Sequence, residues 1–437
     1  MTLFSLIRPA RAVPAEYRST FLHLYFDILW FGVLNGSALS FLAVYAARQG
    51  ANSLQLGLLA ASGALVNLFL TLPVGRWLAG RHVGKAVFWA AVLHRLFYLL
   101  WVPLPVLLPP SAQVWALIGT TFLMSIPGVV LAVGFNALFA DAVPPAWRGH
   151  VVGVRNALFA LALITSTLIS GQLLDSLPFP LGYQIVFALG FVGAALSTVH
   201  LWFVRAVPDV EPPSRVGRPL GELASPGMLR IIGDALRGGV GLRFLTRARG
   251  LRLLRRDILR GPFGAVLATL FAFHLAQYST VPLFSLYWVR QLHLSDEQIG
   301  LGMALFWAMV LLGSTQFAAL TQRLGHQRMV VFGGMLISLY PALMALSRAF
   351  GLFMVASAVG GLGWSLFGGA LTNYLLDRTP ADDRPAHLAW YNLVLNAAIL
   401  LGSLIGPFIA DRTGLVAALA LLALARALGA LAIQRWG

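Results

Sequence analysis

Asp141-Ala-Val-Pro144-Pro-Ala-Trp-Arg148 opens a stretch that the chain contains twice. Asn156 follows at +15 from Asp141 and Asp175 at +34. Asp377-Arg-Thr-Pro380-Ala-Asp-Asp-Arg384 repeats the pattern, with Asn392 and Asp411 at the same distances. Five polar or turn residues thus recur at one offset of 236, with apolar sequence filling the gap after each asparagine. A second block agrees. Tyr45, Arg48, Gln49, Ser53, Gln55 and Gly57 are answered by Tyr287, Arg290, Gln291, Ser295, Gln298 and Gly300, at offset 242 or 243. Both blocks keep their order, so the chain reads as two related halves laid head to tail.

The sequence between these marks is membrane sequence. Of 437 residues, 59% are apolar and 11% charged, against about 25% charged in soluble domains. The apolar residues come in runs of 19 to 26, long enough to cross a hydrocarbon layer of about 30 Å as helices. They are far too long for barrel strands, and backbone in lipid must bond internally. The class expected is an all-α polytopic membrane protein. There is no cysteine, so disulfides and thiolate metal sites are excluded. The first apolar run should remain as a membrane helix, because no small-residue cleavage site precedes it.

Twelve spans can be counted, near 22–46, 54–78, 86–108, 114–139, 151–173 and 182–204, then 263–288, 298–321, 329–347, 352–374, 387–409 and 413–433. Both termini then fall on one side. The short loops and tails of that side carry twelve basic residues, against Arg48, Arg290, Arg348 and Arg412 on the other. The positive-inside rule predicts cytoplasmic termini in a cell membrane. The net charge of +16 therefore sorts by topology and does not call for nucleic acid. The layout predicts a tail over 1–20, a six-helix bundle over 21–204, a linker over 205–262 and a second bundle over 263–437. The linker holds twelve Arg against five acids. After Pro226, Met228, Ile231, Ile232, Ala235 and Leu236 fall on one helical face. That amphipathic pattern with the Arg-rich sequence following it suits an anionic lipid surface over 227–260, or simply a solvated linker.

Twelve spans as six plus six, with a long central loop, resemble the major facilitator superfamily of secondary transporters. Arg323-Leu-Gly325-His-Gln-Arg328 is similar to the superfamily's R-x-G-x-x-R loop. Gly75-Arg76-Trp-Leu-Ala79-Gly-Arg81-His82-Val-Gly84-Lys85 resembles its first copy, with Ala79 where the family usually has Asp. Asp141-x-x-Pro144-x-x-x-Arg148-Gly149 resembles a loop of facilitator exporters. The resemblance implies two six-helix bundles rocking about a midplane site, with spans 1, 2, 4, 5, 7, 8, 10 and 11 around the cavity.

Polar groups at membrane depth are costly and become the site candidates. Asp27 is the one acid placed well inside a span. It is read either as a coupling group for protons or as half of a structural pair, with Arg95 of span 3 as an expected partner. Asn35 and Gln277 correspond at offset 242 in spans 1 and 7, and suit a solute's hydroxyls or amides, or interhelical bonding. His274 shares the face of Gln277. Asn67, Asn392 and Trp364 complete the expected solute-binding set. Arg155 is expected to pair locally near Asp141, and Arg426 to reach toward the terminal-side interface. Asp141, Arg148, Asp377 and Arg384 are read as gating residues at helix ends.

The leading function is secondary transport of a small, amphipathic organic solute, with export slightly favoured by the loop after span 4. Uptake of a sugar, peptide or nucleoside, or movement of a lysolipid, is the near alternative, and a non-transporting receptor is a second class. An enzyme is disfavoured, because the spans offer no paired carboxylates, metal-spaced histidines or Ser-His-Asp set. No phosphate-cradling G-x-x-x-x-G-K-[ST] loop is present for ATP-driven pumping. No cofactor is expected beyond a coupling proton. The expected partners are the solute and membrane lipids, with the chain acting as a monomer.

Overall fold

The computed structural model describes residues 13–79, 81–205, 255–380 and 383–437. The expected amphipathic helix after Pro226, and 227–254 of the lipid-binding stretch, lie outside the described residues. Twelve helices are long and apolar enough to cross a membrane. They are α1 (Ala15–Arg48), α2 (Ser53–Leu78), α3 (Val83–Trp101), α4 (Pro110–Ala142), α5 (Pro145–Ser176) and α6 (Leu181–Trp202), then α7 (Pro262–Gln291), α8 (Asp296–Leu324), α9 (His326–Leu346), α10 (Phe350–Asp377), α11 (Arg384–Thr413) and α12 (Leu415–Trp436). Several outrun their apolar runs by a turn or more. Helix continues past the apolar core until a cap or proline stops it, so Pro144 and Pro145 set the start of α5.

The first half packs α1 on α5 and α6, α3 on α4 and α6, and α2 on α4. The second half repeats this with α7 on α11 and α12, α9 on α10 and α12, and α8 on α10. The two bundles meet where α5 packs on α8 and α2 on α11. Membrane helices gain little from burying apolar surface against each other, so small residues and close backbone approach carry the packing.

One part of the repeat is closer in structure than the sequence offsets suggest. Asn52 caps α2 and Ser295 caps α8, each in a capping box closed by Gln55 and Gln298. The loop before Ser295 carries one extra residue, so the structural twin of Ser53 is Asp296, not Ser295. Gly57 and Gly300 follow as a true pair. A Cβ on Gly57 would collide with the Ser403 carbonyl oxygen, and one on Gly300 would lie 3.1 Å from that of Thr167. Ser403 and Thr167 are themselves separated by 236. Only glycine lets these two helix crossings close so tightly. Backbone regularity differs between the halves: α1 carries a π-helical stretch at Asn35–Leu39 and α7 one at Tyr287–Gln291, which are not equivalent positions.

Candidate functional site

Three groups of polar residues stand out, and they differ in where they sit. The first lies at mid-depth between the bundles. Ala60, Gly63, Ala64, Asn67, Ser125, Gly128, Val129, Asn396 and Ile399 line a chamber of about 160 Å³ where α2 and α4 face α11. Asn396 is 3% exposed. Its Nδ2 donates to the Asn392 carbonyl at 2.8 Å, and its Oδ1 has no hydrogen-bond partner. A buried amide oxygen without a donor is costly, and here it lines a chamber that has room for a polar ligand group or water. Elsewhere on the second bundle, His274 Nε2 meets the Tyr391 hydroxyl at 3.2 Å, with Gln277 one turn on. An aromatic cluster crosses the interface. Phe159 of α5 and Val310 of α8 are buried together, with Phe31, Phe306, Trp307 and Trp364 packed against them.

The expected candidates thus divide. Asn67 lines the chamber, and Asn392 stands one turn from Asn396. Trp364 stacks on Phe367 with ring centroids 6.4 Å apart. Asn35 turns instead to its own helix: Nδ2 donates to the Phe31 carbonyl at 2.7 Å, at the start of the π-helical stretch. Two lining residues, Asn396 and Ser125, are not among the sequence candidates. The signal for Asn396 is its place four residues after Asn392, on the same helical face.

The second group is buried inside the first bundle. Asp27 is 4% exposed, and its Oδ2 accepts from Arg155 Nη2 at 3.1 Å. Arg95 Nη2 lies 3.9 Å from its other oxygen, which also accepts from Ser197 Oγ at 2.5 Å. The expected Asp27–Arg95 approach is present, but Arg155 holds the nearer place. The local pairing of Arg155 near Asp141 is not what forms. Arg155 reaches across to α1, donates also to the Leu24 carbonyl, and its guanidinium lies 5.0 Å from the Phe135 ring centroid. Arg95 is tied further to Thr198 Oγ1 at 2.8 Å and the Ala194 carbonyl at 3.2 Å. Two guanidiniums around one carboxylate, with hydroxyl and carbonyl partners filling the rest, make a cross-brace of α1, α3, α5 and α6. Arg426 does not reach the interface either. It is 2% exposed and donates to the Ile337 carbonyl of α9.

The third group joins the bundles at the end away from the termini. Arg48 Nε donates to Asp296 Oδ1 at 2.8 Å, and Arg48 Nη2 to the Leu294 carbonyl at 2.9 Å. Tyr183 Oη donates to Asp296 Oδ2 at 3.0 Å, and the Asp296 backbone N–H to Asp175 Oδ1 at 2.9 Å. Across the pseudo-twofold axis, Arg290 Nη2 donates to the Ala51 carbonyl at 2.6 Å, and Ser53 Oγ to Asp411. Arg48 and Arg290 therefore grip equivalent carbonyls, and Asp175 and Asp411 accept from equivalent residues. A pocket of about 370 Å³ opens on the charged side, lined by Arg48, Asp175, Tyr183 and Asp296 among others.

Of the gating candidates of the terminal face, Arg148 and Asp377 bond within their own bundle. Arg148 turns back onto the Val143 and Ala140 carbonyls at 3.0 and 2.9 Å, and Asp141 is exposed. Asp377 accepts from His326 Nδ1 at 2.6 Å, and Arg384 Nε has no hydrogen-bond partner among the described residues. Beside them Arg255 binds Asp383 at 2.7 Å and Asp257 at 2.6 Å. The hydrogen bond from Arg255 holds the Asp257 carboxyl below the usual carboxylate range.

Comparison with known proteins agrees with this architecture. The family model described as "Major Facilitator Superfamily" matches residues 28–284 and again 266–436. The quinolone resistance protein NorA of Staphylococcus aureus (strain Mu50) is 24% identical over 131 residues, which cover 30% of this chain and 34% of NorA. The chain thus aligns with about a third of that relative's length. The crystal structure of a mutant of the nucleoside transporter NupG matches with TM-score 0.67 at 12% identity, over 95% of this chain and 99% of that one. A bacterial homologue of the iron transporter ferroportin matches in its inward-facing state with TM-score 0.68, at 14% identity over 98% of this chain and 99% of that one. In its outward-facing state the same homologue gives TM-score 0.57 at 14% identity, over 97% and 99% of the two chains. A twice-matched family model, paired six-helix bundles and a polar chamber between them lead to one conclusion: the chain belongs to the Major Facilitator Superfamily, and it is a multi-pass membrane transporter, not an enzyme.

Proposed function

We propose that this protein is a secondary transporter that moves a small amphipathic organic solute through the space between its bundles, exporting it from the cytoplasm, with both termini cytoplasmic in the cell membrane. The observation that carries the reading is the mid-depth chamber. Its polar lining consists of the uncharged Asn67, Ser125 and Asn396, and an aromatic cluster spans the interface between the bundles. Such a lining suits a solute with one or two hydrogen-bonding groups on an apolar body, and offers a multiply charged anion no counter-charge. Export draws support from the partial likeness to NorA. Interbundle bonds gathered at the outer end, and the better match to an inward-facing relative, support a state closed to the outside.

Asp27 stands as the proton candidate of the sequence, yet its geometry favours the brace. It sits among α3, α5 and α6 with its partners inside one bundle, where the rocking of two rigid bundles leaves its contacts unchanged. The reading is tested in proteoliposomes with a panel of amphipathic solutes that includes a quinolone. Saturable flux is expected, and Asn396→Ala should raise the half-saturating concentration about tenfold, the worth of one lost hydrogen bond of about 1.4 kcal/mol. Absence of saturable flux across the panel would favour a receptor that keeps the fold without the cycle.

A further inference from the structure

The polar atoms of the mid-depth chamber are not evenly divided between donors and acceptors. Asn396 Nδ2 lies 2.8 Å from the Asn392 carbonyl. A carbonyl only accepts, so this contact fixes the orientation of the amide and leaves Oδ1 as its unpartnered atom. Ser125 spends its one proton in the same way. Its Oγ donates to the Thr121 carbonyl at 2.7 Å, which leaves lone pairs only. The third polar side chain of the lining, Asn67, already has a partner. Pro127 adds to the surplus of acceptors. It lies within α4 and has no N–H, so the Leu123 carbonyl, on the turn that carries Ser125, loses its helical donor. The remaining lining residues are small or aliphatic, and neither an acid nor a base is among them.

We propose that this chamber selects its solute by an uncharged hydrogen-bond donor, an amino or hydroxyl group carried on an apolar body. Such selection rests on the transport reading above and narrows it. A solute N–H or O–H gives Asn396 Oδ1 the donor that it lacks, and a group with two such protons can serve Ser125 Oγ as well. Asn396 stands on α11 and Ser125 on α4, so a head of that kind bonds to both bundles at once. A head with acceptors alone, such as a ketone, an ether or a carboxylate, meets lone pairs and leaves the buried Oδ1 unsatisfied. A quaternary ammonium fails for another reason. It has no N–H, and no carboxylate lines the chamber to offset the loss of its hydration. Size adds a limit. The chamber's volume of about 160 Å³ is the share of about five water molecules, so it takes the polar head with the atoms nearest to it.

Matched pairs of probes, uncharged at neutral pH, test this with the full-length protein in lipid nanodiscs. Naphthol and naphthylamine are compared with methoxynaphthalene and dimethylnaphthylamine, which keep the body and replace the donor protons by methyl groups. Binding is read by isothermal titration calorimetry, with empty nanodiscs as the blank. Methylation makes a probe more apolar, so partition into lipid alone ranks the methylated probes first. The opposite order is expected of the protein. Naphthol and naphthylamine should bind about tenfold more tightly than their methylated partners, the worth of one hydrogen bond. Asn396→Ala should erase most of that difference in both pairs. Ser125→Ala, a smaller change, should reduce it more for naphthylamine, which has two protons to give, than for naphthol. Equal or tighter binding of the methylated probes, or a donor preference that survives both substitutions, overturns the proposal and leaves the transport reading standing. Binding of none of the four probes also overturns it, and the transport reading then stands or falls on the flux of the solute panel alone.

Discussion

The two ends of this molecule carry the same kind of residues in the same duplicated pattern, yet they use them differently. At the outer end, Arg48 and Arg290, Asp175 and Asp411, and Gly57 and Gly300 all act across the bundle boundary. At the terminal end, Arg148 and Asp377 bond inside the bundle that carries them, and Arg255 of the linker binds Asp383 of the second half. Duplication alone therefore does not decide which contacts cross the boundary. What matters is which surface the helix ends present to the partner bundle in a given state, and here the outer ends are the ones pressed together. The mid-depth chamber lies on the inner side of that closure.

This contrast can be broken or sharpened by substitution. The largest effect is expected within the bundle, where Asp27→Asn leaves Arg155 and Arg95 buried without their carboxylate. Breaking a buried pair by removing one partner costs about 3–5 kcal/mol. The unfolding temperature in detergent should therefore fall by many degrees, while any pH response of transport persists. An unchanged unfolding temperature would contradict the brace. Next come the paired glycines. Gly57→Ala or Gly300→Ala places a methyl against a backbone carbonyl, an overpacking cost of about 1–3 kcal/mol. Because the contact exists only with the outer end closed, the strain is relieved by opening, and labelled outer ends should move apart. The smallest effect belongs to the terminal face. Asp377→Asn removes a half-exposed contact with His326, worth about 1 kcal/mol or less, and should leave the outer separation unchanged. A large outer opening on that substitution would show that the terminal acids are coupled to the outer closure.

Much of the fold is legible in the chain because the repeat is written in residues that geometry protects. A glycine that must meet a carbonyl, a cap residue with its Gln three positions on, and an arginine that grips the opposing loop keep their spacing in both halves. The twelve spans follow from apolar run length alone. The site is less legible, for a physical reason. A helix in lipid has weak amphipathic contrast, so the sequence says at what depth a polar residue lies but not which neighbour it faces. Sequence order sets Arg155 beside Asp141, whereas the helix turns it toward Asp27, 128 residues away. Depth alone sends Arg426 to the interface, and a carbonyl of α9 satisfies it inside the bundle instead. Asn396, which lines the chamber, has no twin to mark it. A single inserted residue hides Asp296 by shifting its alignment with Ser53 by one.

The central claim, that one solute chamber is exposed alternately to the two sides, is tested most directly at Ser125, which lines it. In the cysteine-free chain, Ser125→Cys can be probed with a membrane-impermeant maleimide applied to one side of oriented vesicles at a time. The account predicts labelling from the terminal side in the outer-closed state, and a transfer of reactivity to the outer side when Gly57→Ala is added. Reactivity from both sides at once, or from one side only in both proteins, would contradict it.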